Sequence, residues 1–160
     1  MSIKTLYIAR HAKSSWKDMS LSDFERPLNK RGKRDAPFMA SLLKEKGIHP
    51  ELILSSPAKR AKKTAKQYHK ALGGDLLFDG GIYEAPLMNL LELVKEALQN
   101  VDSMMIVGHN PDMTALNDVL SDKSIFNIPT AGIVGIIFED EVAPHKGKQL
   151  FFEYPKKYTQ

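Results

Sequence analysis

Near its start the sequence reads Thr5-Leu6-Tyr7-Ile8-Ala9-Arg10-His11-Ala12-Lys13, in which a short apolar run is followed at once by an arginine and a histidine. An uninterrupted apolar run predicts a strand that is buried on both faces of a sheet. In open α/β sheets, ligands bind at the carboxyl ends of such strands. A guanidinium group beside an imidazole can hold an anion there while a neutral ring nitrogen attacks it. Alternatively, Arg10 and His11 merely cap the strand.

Strands and helices are predicted to alternate along the rest of the chain. Strand patterns follow at residues 52–54, 76–78, 103–108, 132–138 and 149–154, and helical patterns at residues 30–46, 57–72, 87–98 and 111–120. This alternation predicts a three-layer α/β/α sandwich around a mainly parallel sheet of about six strands. Because no helix separates the last two strands, we expect one antiparallel strand. The long polar loop over residues 12–29 is expected to frame a pocket.

Local signals predict where the helices begin. Asn29 is a suitable N-cap for the first helix. Pro37 lies inside the same pattern, so either the regular helix begins near Asp35 or the helix is kinked. Pro57 is expected at the first position of the second helix, which places Arg60 in the first turn. The polar tail at residues 155–160 is expected to be frayed.

Length and composition limit the class of protein. At 160 residues the chain is predicted to form one domain over residues 1–160. The absence of cysteine excludes disulfides, a thiolate nucleophile and a thiolate-held metal. A net charge of +4 favours acidic small molecules or weak contact with polyanions without requiring either. Since no apolar run is long enough to span a bilayer and no targeting segment is found, we expect a cytoplasmic monomer without membrane contact.

Three of the predicted strand ends carry side chains that suit an anion. Arg10 and His11 follow the first strand, Arg60 lies in the helical turn after the second, and His109 follows the strand at residues 103–108. The carboxyl ends of parallel strands meet at one edge of a sheet, so these four side chains are expected to converge. Two guanidinium groups and two imidazoles suit a dianionic phosphoryl group, and they supply its compensating charge without a metal or other cofactor.

Four stretches form an ordered set that covers residues from about 5 to 135. They are Leu6-Tyr7-Ile8-Ala9-Arg10-His11-Ala12-Lys13-Ser14, Glu25-Arg26-Pro27-Leu28 with Gly32, Ser55-Ser56-Pro57-Ala58-Lys59-Arg60-Ala61 with Thr64, and Val107-Gly108-His109-Asn110-Pro111. This set resembles the histidine phosphatase superfamily, which includes the phosphoglycerate mutases, and within it the short SixA-like phosphohistidine phosphatases. The resemblance implies a phosphoglycerate mutase-like fold and a single histidine phosphatase domain.

The resemblance also implies a role for each matching residue. His11 becomes the nucleophile that is phosphorylated, and Arg10, Arg60 and His109 bind the phosphoryl oxygens. Ser14, in the first matching stretch, is included among the substrate-binding residues. Glu84 falls where the family often has a carboxylic acid that protonates the leaving group; alternatively, it is a plain surface carboxylate.

Two departures from the family pattern bear on the reaction. The usual Arg-His-Gly is Arg-His-Ala here, and Lys17 stands where phosphoglycerate mutases have an asparagine, which argues against a mutase. The sequence therefore predicts a metal-independent phosphatase. A chain this short is expected to have an open pocket that admits a phosphohistidine side chain of a protein. The alternatives are a small-molecule phosphomonoesterase and a non-catalytic phosphate-binding module.

Two further features are expected to be structural. The lysine-rich run at residues 59–66 is interpreted as a solvated helix face apart from Arg60, because it lacks the interleaved aromatic residues of single-strand binders. We therefore expect no nucleic acid partner. Trp16, in the loop beside the predicted pocket, is expected either to pack as a lid or to contact the leaving group, with lid packing favoured.

Overall fold

The structure of the protein is a computed structural model that describes residues 2–159. These residues form six strands and four α-helices: β1 (Lys4–Arg10), α1 (Lys30–Glu45), β2 (Leu52–Ser55), α2 (Lys59–Leu72), β3 (Asp75–Phe78), α3 (Leu87–Asn100), β4 (Ser103–Gly108), α4 (Asp112–Leu120), β5 (Ile133–Phe138) and β6 (Lys148–Glu153). Among them we find no helix with the length and apolar character that crossing a bilayer requires.

The strands form one mixed sheet in the order β3-β2-β4-β1-β5-β6. β1 pairs in parallel with β4, and β2 pairs in parallel with both β4 and β3. β5 is antiparallel to both of its neighbours, β1 and β6, so β6 runs in the same direction as β1. The predicted mainly parallel sheet with one antiparallel strand is therefore confirmed for the described residues.

Helices cover both faces of the sheet and give it two apolar cores. Residues Tyr7 and Ala9 of β1 face the core beneath α1 and α2, whereas Leu6 and Ile8 face the core beneath α3 and α4. A strand with a helix layer on each side must be apolar on both sides, which is why residues 6–9 form an unbroken apolar run. The predicted three-layer sandwich is confirmed.

The helix boundaries correct two sequence-based expectations. α1 begins at Lys30 and includes Pro37. The Asn29 side chain caps its first turn by accepting a hydrogen bond from Gly32 N at 2.8 Å. The prediction that the regular helix begins near Asp35 is therefore wrong. α2 begins at Lys59, two residues after the predicted Pro57. Ser56 Oγ accepts a hydrogen bond from Ala58 N at 3.1 Å, which holds this segment in a turn before the helix.

The prediction of a frayed tail is wrong for residues 155–157. Pro155 is buried, and Pro155–Lys157 forms a short 3-10 helix. Lys157 Nζ lies 2.5 Å from the carboxylate of the buried Glu153, which also accepts a hydrogen bond from the Tyr158 hydroxyl. The tail is held because a buried carboxylate requires these partners. Gln160, also part of the prediction, lies outside the described residues.

The register of the sheet brings three strand ends together. Arg10 at the end of β1 lies opposite Gly108 at the end of β4, and Ser55 at the end of β2 lies opposite Val107. The hydrogen bonds continue past the strands, since His11 N donates to Gly108 O and Ser56 N donates to Val107 O, each at 3.0 Å. The residues that follow β1, β2 and β4 therefore lie side by side at one edge of the sheet.

Candidate active site

The side chains beyond the ends of β1, β2 and β4 line a cavity of about 710 Å³. The six site residues predicted from the sequence all lie on its wall: Arg10, His11, Ser14, Arg60, Glu84 and His109. The structure thus brings all of them together, while the role of each stays a prediction.

His11 is held as a neutral imidazole with one identified tautomer. Its side chain is buried, and Nδ1 lies 2.7 Å from the carbonyl oxygen of Ala12. A carbonyl oxygen only accepts hydrogen bonds, so Nδ1 carries the proton and Nε2 keeps its lone pair. Burial, together with the positive groups nearby, lowers the pKa of His11 to about 3. At neutral pH the ring therefore presents an unprotonated nitrogen, as a nucleophile must.

His109 lies beside His11, with the two ring centroids 5.2 Å apart. Its Nε2 forms a 2.8 Å hydrogen bond with the Ser56 hydroxyl, which fixes the ring against the end of β2. Burial, followed by the charge of Arg60, lowers the pKa of His109 to about 4. Its Nδ1 is buried and has no hydrogen-bond partner in residues 2–159.

Two arginines approach the histidines from different elements. Arg10, at the end of β1, donates from Nη1 to the carbonyl oxygen of Ile128 at 3.0 Å. Arg60 is buried on the first turn of α2, and Thr64 on the next turn accepts a hydrogen bond from Ala12 N at 3.0 Å, which fixes α2 against the segment after β1. The Nε atoms of both arginines are buried without a partner in the described part of the chain. Guanidinium groups with unpaired donors suit the binding of an anion.

Asp23 was not identified from the sequence, yet it connects three residues of the cavity wall. Its carboxylate accepts hydrogen bonds from Arg60 Nη2 at 2.9 Å and from the Tyr83 hydroxyl at 2.7 Å, and it forms an ion pair with Arg26 at 3.2 Å. The Asp23 carbonyl oxygen also accepts from Arg60 Nη1 at 2.6 Å. Burial raises the pKa of Asp23, but the hydrogen bonds from Tyr83 and Arg60 outweigh it and bring the pKa to about 2. Asp23 therefore stays ionised and orients Arg60 and Arg26.

Arg26 lies in the second matching stretch, where the sequence predicts no role for it, and it is buried on the cavity wall. Its Nη1 donates to Ser14 Oγ at 2.9 Å, and its guanidinium carbon lies 3.5 Å from the centroid of the Trp16 ring. Trp16 is 63% exposed, so one face of the ring rests on Arg26 at the edge of the cavity. Arg26 therefore adds a third guanidinium group, and Trp16 packs against it.

Glu84 shares its side of the cavity with a second carboxylate, Asp112, at the start of α4. Glu84 has a φ of 56°, a left-handed conformation that is uncommon for a residue with a side chain. Burial, and then the charge of Glu84, raises the pKa of Asp112. Two carboxyl groups thus lie on this side of the cavity, where the sequence identified Glu84 alone.

The folded state of the protein is expected to lose stability in acid through its two buried histidines. Each has a folded pKa below the unfolded value of about 6.5, so the unfolded chain binds more protons and stability falls as the pH drops below about 6.5. For His11 the loss between pH 7 and pH 5 is about 2 kcal/mol. Urea unfolding at pH 7, 6 and 5 should give a smaller pH dependence for His11→Asn than for the wild type; equal dependence would contradict this account.

The cavity therefore combines a neutral imidazole with three guanidinium groups, a set of side chains that suits a phosphoryl anion. The profile of the histidine phosphatase superfamily, branch 1, matches residues 6–114. The chain belongs to the histidine phosphatase superfamily.

Several known proteins are similar to this chain in sequence or in structure. An uncharacterized chloroplastic protein of Arabidopsis thaliana is 34% identical over 133 residues, which cover 76% of this chain and 61% of that protein. The chain thus spans less than two thirds of the length of this relative. A crystal structure of a phosphohistidine phosphatase SixA candidate from Agrobacterium tumefaciens is 29% identical with a TM-score of 0.83, covering 95% of this chain and 98% of that chain. The protein histidine phosphatase SixA in complex with tungstate has a TM-score of 0.84 at 20% identity, over 96% of this chain and 98% of that chain. The SixA-like fold predicted from the sequence is confirmed.

Proposed function

We propose that the protein is a phosphatase that works through a phosphohistidine formed on His11. The observation that carries the proposal is the hydrogen bond from His11 Nδ1 to the Ala12 carbonyl oxygen, 2.7 Å long, which leaves Nε2 unprotonated in the cavity wall. A histidine that only bound phosphate would bind it more tightly with a protonated, positively charged imidazole. The neutral ring therefore favours catalysis over a non-catalytic phosphate-binding module.

In the first step, Nε2 of His11 attacks the phosphorus atom, and the bond from phosphorus to the leaving nitrogen or oxygen breaks. The ring then carries a positive charge, and its Nδ1–H donates more strongly to the Ala12 carbonyl oxygen. Arg10, Arg60 and His109 bind the phosphoryl oxygens, and Arg26 adds a further guanidinium group. These donors offset the charge that builds up on those oxygens.

In the second step, a water molecule attacks the phosphohistidine, the P–N bond breaks, and its electron pair returns to Nε2 of the neutral His11 ring. The water gives one proton to the carboxylate that protonated the leaving group, or keeps both protons when no carboxylate did so, and orthophosphate leaves. For a phosphate ester, the leaving oxygen also needs a proton. Glu84 and Asp112, the two carboxyl groups on that side of the cavity, are the candidates to supply it. For a phosphoramidate, the labile P–N bond makes this proton less important.

We propose protein phosphohistidine as the substrate, in keeping with the similarity to the SixA candidate of Agrobacterium tumefaciens. The exposed Trp16 at the edge of the cavity supports an opening that a protein side chain can reach. A small-molecule phosphate ester is the second candidate. A cavity of about 710 Å³ has room for more than a phosphoryl group, which favours that alternative.

A substrate panel assayed in EDTA tests both the activity and the substrate. We expect the kcat/KM for a phosphohistidine peptide to exceed that for common sugar phosphates by at least about tenfold, or roughly 1.4 kcal/mol of transition-state discrimination. EDTA should leave the rate unchanged, because the guanidinium groups supply the positive charge that a metal would otherwise provide. A sugar phosphate or phosphoglycerate hydrolysed faster than phosphohistidine would support the small-molecule alternative. A strict requirement for Mg²⁺ or Mn²⁺ would contradict metal independence.

A further inference from the structure

One face of α2 carries four lysines close to the cavity. Lys59, Lys62, Lys63 and Lys66 are spaced so that they lie on the same side of the helix. Among residues 2–159, none of these lysines takes part in an ion pair. Like charges at this spacing repel one another and weaken a helix, so the helix gains no stability from the arrangement.

The four lysines border a groove with an apolar floor, which we call the lysine groove. Its volume is about 360 Å³, and it is lined by Leu21, Phe24, Glu25, Pro57, Lys59, Lys62, Lys63 and Lys66. Glu25 is the single acidic residue of the lining, and its carboxylate accepts a hydrogen bond from the Ser22 hydroxyl at 3.1 Å. The groove therefore carries a net positive charge above an apolar floor.

The lysine groove and the active-site cavity lie on opposite sides of one short segment. Asp23 of the 3-10 helix Asp23–Glu25 lines the cavity, whereas Phe24 lines the groove. The Phe24 ring packs edge-on against Tyr83 of the cavity, with the ring centroids 5.2 Å apart. α2 likewise contributes Arg60 to the cavity and Lys59 to the groove. A chain whose phosphorylated side chain enters the cavity can therefore reach the lysines if it crosses the segment Asp23–Glu25.

We propose that the lysine groove binds acidic residues next to the phosphorylated side chain of a protein substrate. This inference rests on the proposed function and adds the chemistry of the flanking sequence. Asp and Glu side chains would pair with the lysines, while Leu21, Phe24 and Pro57 would contact apolar atoms of the same chain. The lining favours a protein over RNA, because it holds a single aromatic ring, Phe24, whereas proteins that bind single strands present several rings on which successive bases stack.

A binding experiment tests the groove without using turnover. The probe is a fluorescein-labelled peptide that carries Asp and Glu on both sides of an unphosphorylated histidine, and its binding is followed by anisotropy. We expect the Lys59→Gln/Lys63→Gln/Lys66→Gln variant to bind it at least about tenfold more weakly than the wild type. The control is Lys95→Gln/Lys123→Gln/Lys146→Gln, which removes the same charge from exposed positions outside the groove and should bind normally. Binding to the wild type should weaken with salt.

Steady-state kinetics then tests whether the groove binds the acidic residues of a substrate during hydrolysis. The groove variant should raise KM for a phosphohistidine peptide with acidic flanks, with little change in kcat. Its rates on phosphoramidate and on a peptide with Asn and Gln flanks should stay within about twofold of the wild type. Equal losses in the groove and control variants, or no loss in either, would overturn the proposal. The proposal would also be overturned if a labelled oligouridylate bound more tightly than the acidic peptide and its binding depended on the same lysines. If the wild type binds the acidic peptide through these lysines but hydrolyses no phosphohistidine, the groove stands and the proposed function fails.

Discussion

Replacement of His11 by asparagine is expected to lower kcat for phosphohistidine peptide hydrolysis by at least about 10⁴-fold. Asparagine can still donate a hydrogen bond to the Ala12 carbonyl oxygen, as His11 Nδ1 does at 2.7 Å. It cannot, however, supply a nitrogen lone pair that attacks phosphorus. The variant should therefore fold and retain the anion-binding arginines, while losing the covalent step. Phosphate release under saturating peptide measures the effect.

His69→Asn is the matched control, because His69 is exposed on α2 and lies outside the cavity. It should leave kcat within about twofold of the wild-type value. A His11→Asn variant that keeps more than about a tenth of the wild-type rate, with its fold intact by circular dichroism, would show that His11 is not the nucleophile.

Replacement of Arg60 by glutamine is expected to lower kcat/KM by roughly 10³-fold. The buried guanidinium of Arg60 lies on the cavity wall, and its loss removes charge stabilisation from the phosphoryl oxygens. The same change deprives the Asp23 carboxylate of one hydrogen bond and the Asp23 carbonyl oxygen of another. The ionised Asp23 would then face the incoming phosphate with less compensating charge. Steady-state kinetics with phosphohistidine peptide measures the loss.

A double variant separates the binding role of Arg60 from its structural role. Arg60→Gln/Asp23→Asn replaces the ion pair by a neutral pair, so it should recover much of any stability lost in the single variant. It should recover only the part of the kcat/KM loss that the uncompensated Asp23 charge causes, because the phosphoryl oxygens still lack the guanidinium group. Arg34→Gln, which affects an exposed arginine paired with Asp35, is the control. Recovery of activity together with stability would show that Arg60 is only a structural residue.

The sequence was most informative where local pattern and burial coincide. The apolar runs of β1 and β4 and the polar residues that end them predicted the sheet and the convergence of Arg10, His11 and His109. Helix starts were harder to predict, because Pro57 suits the first helical position as well as the turn before it. The hydrogen bond between Ser56 Oγ and Ala58 N decided between them.

The parts of the site that escaped prediction depend on contacts between distant residues. Asp23 and Arg60 are 37 positions apart, and Tyr83 is 60 positions from Asp23. No periodicity or motif relates such residues, although the long loop at residues 12–29 was correctly expected to frame the cavity. Arg26 could have been predicted from the sequence as a site residue, since it lies in a matching stretch beside a proline. Asp112 gave no signal, because its position next to Glu84 exists only in the folded chain.

Trapping of the covalent intermediate tests the central claim most directly. The wild-type protein is mixed with a ³²P-labelled phosphohistidine peptide and quenched in alkali, in which phosphohistidine survives. The protein is then digested, and its labelled fragment is identified by mass spectrometry. We predict acid-labile phosphate on His11 in the wild type and none in His11→Asn. Label on another residue, or continued turnover with no label on the protein, would contradict the account.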